Sequence, residues 1–230
     1  MTDTTATTGA TALSGNGKPA ESIEVKNPAT GEVIGSVPTV PVDEVGAVVA
    51  RARAAQPGWE ALGFDGRAKV LLRAQKWLVD NGDRVARTIV SESGKAYEDA
   101  YLAEVGYGAA AFGFWAKTAR KYLSDEKIRS SSPFVLGRKL VVRYAPVGVV
   151  GVIGPWNYPL NNSFGDCIPA LAAGNSCVLK PASLTPLTSM LLAEGLRECG
   201  LPEDVFIVAP GSGEIGGELI DHVDFVMFTG

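Results

Sequence analysis

The stretch Val147-Gly-Val-Val-Gly-Val-Ile-Gly-Pro-Trp-Asn-Tyr-Pro159 constrains the fold more than any other part of the chain. Its first half, Val147 to Ile153, is a run of β-branched residues and glycines with no polar alternation. Such a run reads as a strand buried on both faces, as in the interior of a parallel sheet. Gly154 and Pro155 stop it, and Trp156, Asn157, Tyr158 and Pro159 follow directly. In open α/β sheets, ligands bind just outside the carboxyl ends of the strands. Asn157 therefore sits where a polar side chain can act on a ligand. The competing reading is an Asn that caps a following helix, a role the residue fills well.

The pattern beyond this strand supports the same architecture. Strands are expected at Val147–Ile153, Cys177–Leu179, Val205–Val208 and Phe225–Phe228, and helices at Ser163–Ala172, Pro186–Cys199 and Ile215–Ile220. Alternating strands and helices imply an α/β fold with a doubly wound, Rossmann-like parallel sheet. Ahead of it, Met1 to about Ser22 is rich in Thr, Ala, Gly and Ser and reads as a disordered tail. Ile23 to Val37 contains Asn27-Pro-Ala-Thr-Gly31 and reads as a short hairpin. Helical patterns follow at Asp43–Gln56, Asp65–Val79, Asp83–Ser93 and Tyr97–Tyr122. Gly94 is placed to end the third. The fourth carries Gly106, Gly108, Ala109, Ala110, Ala111 and Gly113, which suit close helix contacts. Glu126–Ser132 and Arg138–Tyr144 read as a second hairpin, within residues 126–145. The whole of 23–230 reads as one domain.

Composition narrows the function. A net charge of −4 with no Lys/Arg block argues against nucleic-acid binding. No apolar run approaches the ~20 residues that span a bilayer, and the N-terminus shows no secretory h-region. Three cysteines without metal spacing, Cys167, Cys177 and Cys199, fit reduced thiols in a cytoplasmic protein. None of them has a neighbouring base or helix start to activate it. His222, the sole histidine, reads as a surface residue, so no Ser/His or metal-cluster chemistry and no metal site is expected.

Two further candidates lie after later strands. Lys180 and Ser183 follow the second strand, where a dinucleotide fold meets the adenosine ribose. The bland alternative for Lys180 is a solvated surface lysine. Gly211-Ser-Gly213-Glu-Ile-Gly216 has the form G-x-G-x-x-G between a strand and a helix. It follows the third strand rather than the first, which sets it apart from the usual dinucleotide fingerprint. A tight strand-to-helix turn explains it equally well.

Taken together, Gly154-Pro-Trp-Asn157, Pro169-Ala-Leu-Ala-Ala-Gly-Asn175, Val178-Leu-Lys-Pro-Ala-Ser183 with Thr185-Pro186, Gly200-Leu-Pro202 and Phe228-Thr-Gly230 resemble, in order, motifs of the aldehyde dehydrogenase superfamily. The resemblance runs from about Glu24 to Gly230. It implies that Asn157 is the catalytic oxyanion donor and that Ile153, Pro155, Trp156, Lys180, Ser183, Gly213, Gly217 and Gly230 contact NAD or NADP. In NAD-preferring members an acid often stands at the position of Ser183, where it repels a 2′-phosphate; serine repels neither cofactor, which favours NADP. The 126–145 hairpin corresponds to the family's oligomerisation arm, implying a homo-oligomer. In the family mechanism a Cys thiolate adds to an aldehyde, hydride passes to the nicotinamide, and a Glu-activated water releases the acid. That Cys and Glu lie downstream of the Phe-Thr-Gly motif. The expectation is thus a sheet cut at its fourth strand, no catalytic domain, and no aldehyde oxidation by these residues alone. An apolar last strand at an unpaired edge further predicts poor solubility or partial molten character. The other reading is an inactive nucleotide-binding or interaction module. Lys180-Pro-Ala-Ser183 also resembles some semialdehyde dehydrogenases, which makes succinic semialdehyde a candidate substrate.

Overall fold

The computed structural model describes residues 21–129, 132–135 and 137–230. The disordered-tail expectation for residues 1–20 lies outside the described residues. At its far end that expectation is corrected, because Ser22 pairs with Pro38 and opens β1.

The chain begins with an antiparallel hairpin, β1 (Ser22–Lys26) and β2 (Val33–Pro38). The Asn27 side chain builds its turn by accepting hydrogen bonds from the Ala29 and Thr30 amides at 2.9 and 3.3 Å. Val25 and Val37 point into the protein and anchor the hairpin. Three helices follow, α1 (Val45–Ala61), α2 (Gly63–Asp80) and α3 (Gly82–Ser93), the last closed by Gly94 in the left-handed conformation at φ 74°. α1 does not stop at Gln56 as expected but runs through Pro57. Its extra turn carries Trp59, fully buried, whose indole Nε1 donates to the Leu171 carbonyl at 2.9 Å. Burial of that ring outweighs the hydrogen bond lost at the proline.

The fourth helix is not one regular rod. α4 (Tyr97–Asp99) passes through a π-helical stretch, Ala100–Gly106, into α5 (Tyr107–Leu123). α5 lies close against α2. A Cβ on Gly108 would come within 2.7 Å of Leu160 and 3.0 Å of Leu78, so any side chain there would have to displace two buried leucine methyls. The arm is shorter than the sequence pattern suggests. β3 (Glu126–Ile128) and β4 (Leu140–Val142) pair over three residues each, with Ser130, Ser131 and Leu136 outside the described residues. Arg143 paired with Asp125, and the Tyr144 hydroxyl donating to Glu126, fasten its base.

The remaining strands form one parallel sheet: β5 (Val149–Ile153), β6 (Ser176–Lys180), β7 (Phe206–Val208) and β8 (Phe225–Phe228), in the order β7-β6-β5-β8. Alternate side chains leave the sheet on opposite faces. Val150, Val152, Cys177 and Leu179 join the core made with α2, α3, α5, α6 (Cys167–Ala173) and α7 (Leu187–Glu198). Val149, Val178 and Ile153 meet α1 and α8 (Gly213–His222) on the other face. This is the doubly wound arrangement expected. The first connecting helix differs from expectation. Pro159–Ser163 is π-helical and Phe164–Asp166 a 3-10 turn, so regular α-helix starts only at Cys167. β8 forms one edge of the sheet, with Phe225 and Phe228 exposed, Phe228 at 69%. Among the described residues no helix is long and apolar enough to cross a membrane.

Candidate functional site

The carboxyl ends of the four strands form a common rim. Register fixes it: Ile153 stands beside Lys180 on β6 and beside Phe228 on β8. Backbone bonds carry the alignment into the loops. The Gly154 amide donates to the Lys180 carbonyl at 3.1 Å, the Ala209 amide to Leu179 at 2.8 Å and the Thr229 amide to Ile153 at 3.1 Å. The chain turns in opposite directions from β5, to β6 on one side and finally to β8 on the other. That makes the β5/β8 boundary the switch point at which such sheets bind ligands.

Pro155, Trp156 and Asn157 leave β5 at this rim, with Trp156 56% exposed. The Thr185 hydroxyl, from the loop after β6, donates to the Trp156 carbonyl at 3.2 Å. Asn157 is exposed, and its side chain makes no hydrogen bond to any described residue. The next helical segment starts at Pro159, and Tyr158 at its cap position offers no side-chain bond. Asn157 is therefore no helix cap, and its amide is free to meet a ligand.

Lys180 is not a freely extended surface lysine. It is 7% exposed, and burial holds its ammonium below the usual lysine range. Neither a carboxylate nor any other hydrogen-bonding partner faces it among the described residues. The stem is covered while the ammonium itself still reaches the surface of the rim. Its stem lies against α8, where a Cβ on Gly216 would sit 3.9 Å from the lysine Cδ and 3.5 Å from Ile153. Ser183 has a different occupation: its hydroxyl donates to the Gly211 carbonyl at 2.9 Å, tying the β6 and β7 loops together while leaving its oxygen able to accept.

α8 starts at this rim. Ser212 caps it by accepting from the Glu214 amide at 3.2 Å. Gly213 and Gly217, one turn apart, are exposed and face open space, so together they leave a flat patch on the helix. The glycine loop is thus a capped strand-to-helix turn that also borders the rim. Gly230 lies exposed just beyond β8.

The cysteines lie elsewhere. Cys167 is, contrary to the sequence reading, the first residue of an α-helix. The helical turns before it continue into α6, so it meets no free helix end, and burial pushes its thiol well above the usual range. Cys177 lies beside it, and Cys199 is buried at the end of α7. His222 is exposed and pairs with Glu218 at 3.0 Å.

Residues 16–230 match the aldehyde dehydrogenase family over nearly the whole chain. The chain belongs to that family. It is 40% identical, over 87% of its length, to a Mycolicibacterium smegmatis protein that carries the provisional name succinate-semialdehyde dehydrogenase [NADP(+)], of which it covers 38%. It is 39% identical over 91% of its length to a glutarate-semialdehyde dehydrogenase of Pseudomonas aeruginosa, covering 43% of that protein. Among solved structures, an NADP-dependent enzyme of E. coli superposes with a TM-score of 0.82 at 36% identity, over 90% of this chain and 42% of that one. The chain therefore spans about two fifths of the length of the relatives it matches.

Sequence reasoning missed three residues around this rim. Glu92 is 3% exposed and accepts from the Leu187 and Thr188 amides at 2.7 and 3.0 Å and from the Thr188 hydroxyl. It thereby caps α7 from another helix. Burial raises its carboxyl to about 7 against the pull of those donors, helped by the charge of Glu104. Glu104, fully buried, pairs with Lys95. The signal was present in the pattern: Glu92 continues the apolar stripe Val85, Ala86, Ile89 of α3, where an acid has no business unless it is bonded.

Proposed function

We propose that residues 23–230 act as one unit, the nucleotide-binding part of an NAD(P)-dependent aldehyde dehydrogenase, in which Asn157 donates a hydrogen bond to the substrate oxygen. The observation that carries this reading is an amide and an ammonium, neither bonded to any described side chain or backbone group, on neighbouring strand ends of one rim. The donor set fits a dinucleotide. Lys180 supplies a cation for ribose hydroxyls or a 2′-phosphate, Ser183 an acceptor oxygen, and Gly213 and Gly217 a surface without side chains for a flat ring. Ile153, Pro155 and Trp156 wall the crevice on the β5 side, and Gly230 borders it at β8. The bound nicotinamide supplies the hydride acceptor of the family's chemistry. Asn157 acts on the aldehyde oxygen as negative charge grows there, a contribution worth ~3–4 kcal/mol in comparable sites.

Among the described residues no acid pairs with Lys180, and none stands at Ser183, which favours NADP over NAD; the names of the M. smegmatis and E. coli relatives agree. A semialdehyde substrate follows the names of the M. smegmatis and P. aeruginosa relatives. The exposed Ile128, Val141 and Val142 of the β3–β4 arm suit a homo-oligomer contact, and three free thiols suit the cytoplasm. Fluorescence titration of the chain with NADPH and NADH tests the reading. It predicts tighter binding of NADPH and at least a tenfold loss for Lys180→Met. Absence of binding at millimolar nucleotide, or a Lys180→Met chain that binds like the parent, contradicts it.

A further inference from the structure

We propose that Glu104 and Lys95 are positioning residues for Asn157: a buried ion pair that holds the loop Trp156–Asn161 and so sets the direction of the Asn157 amide. The inference rests on the oxyanion role given to Asn157 above. The Asn157 side chain makes no bond to a described residue, so the backbone that carries it sets where its Cβ points and which amide directions its rotamers can reach. That backbone is clamped on both sides. Before Asn157, Thr185 holds the Trp156 carbonyl at 3.2 Å. After it, one oxygen of Glu104 accepts from the Leu160 amide at 2.8 Å and from the Asn161 amide at 3.4 Å. These are N–H groups at the start of a helical segment, which have no partner within it. The other oxygen pairs with the Lys95 ammonium, which also lies 3.7 Å from the centre of the Tyr158 ring. The Asn161 side chain completes the clamp by donating to the Ala103 carbonyl at 3.3 Å.

Stability alone does not account for this pair. The Glu104 side chain is 0% and that of Lys95 13% exposed. Desolvating two charges costs about as much as their attraction returns, whereas an apolar pair of the same volume would pack without that cost. What the charged pair supplies is a fixed backbone: it specifies where Tyr158, Leu160 and Asn161 must lie. Both sides of the contact are π-helical, Ala100–Gly106 carrying Glu104 and Pro159–Ser163 carrying the two amides. Such irregular turns recur where a side chain must be aimed.

The test is NMR of the chain labelled at asparagine side chains and backbone amides, in the parent, Glu104→Gln, Lys95→Met and Lys95→Arg. The side-chain amide of Asn157 should shift or split in Glu104→Gln and Lys95→Met. The Leu160 and Asn161 amides should exchange at least tenfold faster. Asn175, bonded to Ala170 at 3.0 Å away from this loop, should stay put, and Lys95→Arg should restore the parent signal. An Asn157 signal unchanged in both Glu104→Gln and Lys95→Met overturns the proposal. So does a change that spreads equally to Asn175, because the pair would then support the fold in general. Lys95→Met carries the test if Glu104→Gln fails to fold. Adding NADP to the same samples reads the nucleotide reading separately: absence of shifts at Lys180 and Gly213 would sink that reading while leaving the Asn157 result intact.

Discussion

The Glu92→Gln substitution should erase a specific slope in the dependence of stability on pH. Glu92 has its carboxyl raised from an ordinary 4.5 to about 7 in the folded chain, chiefly by burial. Between those two values the folded state binds more protons than the unfolded one. Stability contributed by this group is then fully present below pH 4.5 and is lost as pH rises through about 7. At about 1.4 kcal/mol for each tenfold change in proton affinity, the whole difference amounts to about 3 kcal/mol. Glutamine keeps the oxygen that accepts from the Leu187 or Thr188 amide but cannot ionise. Urea unfolding of parent and Glu92→Gln at pH 5, 6, 7 and 8 measures the effect. The difference between the two curves removes every group they share, so only Glu92 remains. Glu92→Gln should gain on the parent by about 2–3 kcal/mol between pH 5 and pH 8, with most of the change complete by pH 8. Parallel curves would show that the donors of α7, not burial, dominate this carboxyl, and would refute the reasoning.

Two other outcomes follow from packing. Gly108→Ala should destabilise the chain by about 1–3 kcal/mol, because crowding of Leu160 and Leu78 outweighs the ~1 kcal/mol that alanine contributes to a helix; a raised melting temperature would contradict this. All three cysteines are buried, so a thiol reagent such as Ellman's should find none that reacts quickly in the folded chain and three after denaturation; one rapidly titrating thiol under native conditions would contradict the burial of Cys167, Cys177 or Cys199.

The sheet was legible because its strands are short apolar runs punctuated by glycine and proline, and period-two burial then follows without further information. The expected helices were also found, with ends displaced where tertiary contacts decided them. α1 crosses Pro57 because Trp59 has a carbonyl to reach across the core, a partner 112 residues away that no local rule can supply. Ser163–Ala172 reads as one helix by period, yet two irregular turns precede α6, the first with its Leu160 and Asn161 amides held by Glu104. At the rim, motif order pointed to Asn157, Lys180 and the glycine loop. It could not distinguish a free amide from a cap, or a lysine with a covered stem from a freely extended one, since both depend on neighbours brought in by the fold. Ser183 shows the same limit: its hydroxyl donates to Gly211, a bond between two loops that are adjacent only once β6 and β7 pair.

The central claim is that the strand-end rim binds a nicotinamide dinucleotide. Its most direct test is an NMR titration of the ¹⁵N-labelled chain with NADP. Saturable shifts should gather on Ile153, Gly154, Trp156, Asn157, Lys180, Ser183, Gly213 and Gly217, with the α2–α3 helices silent. Shifts scattered over the surface, or confined to residues away from the strand ends, would contradict it.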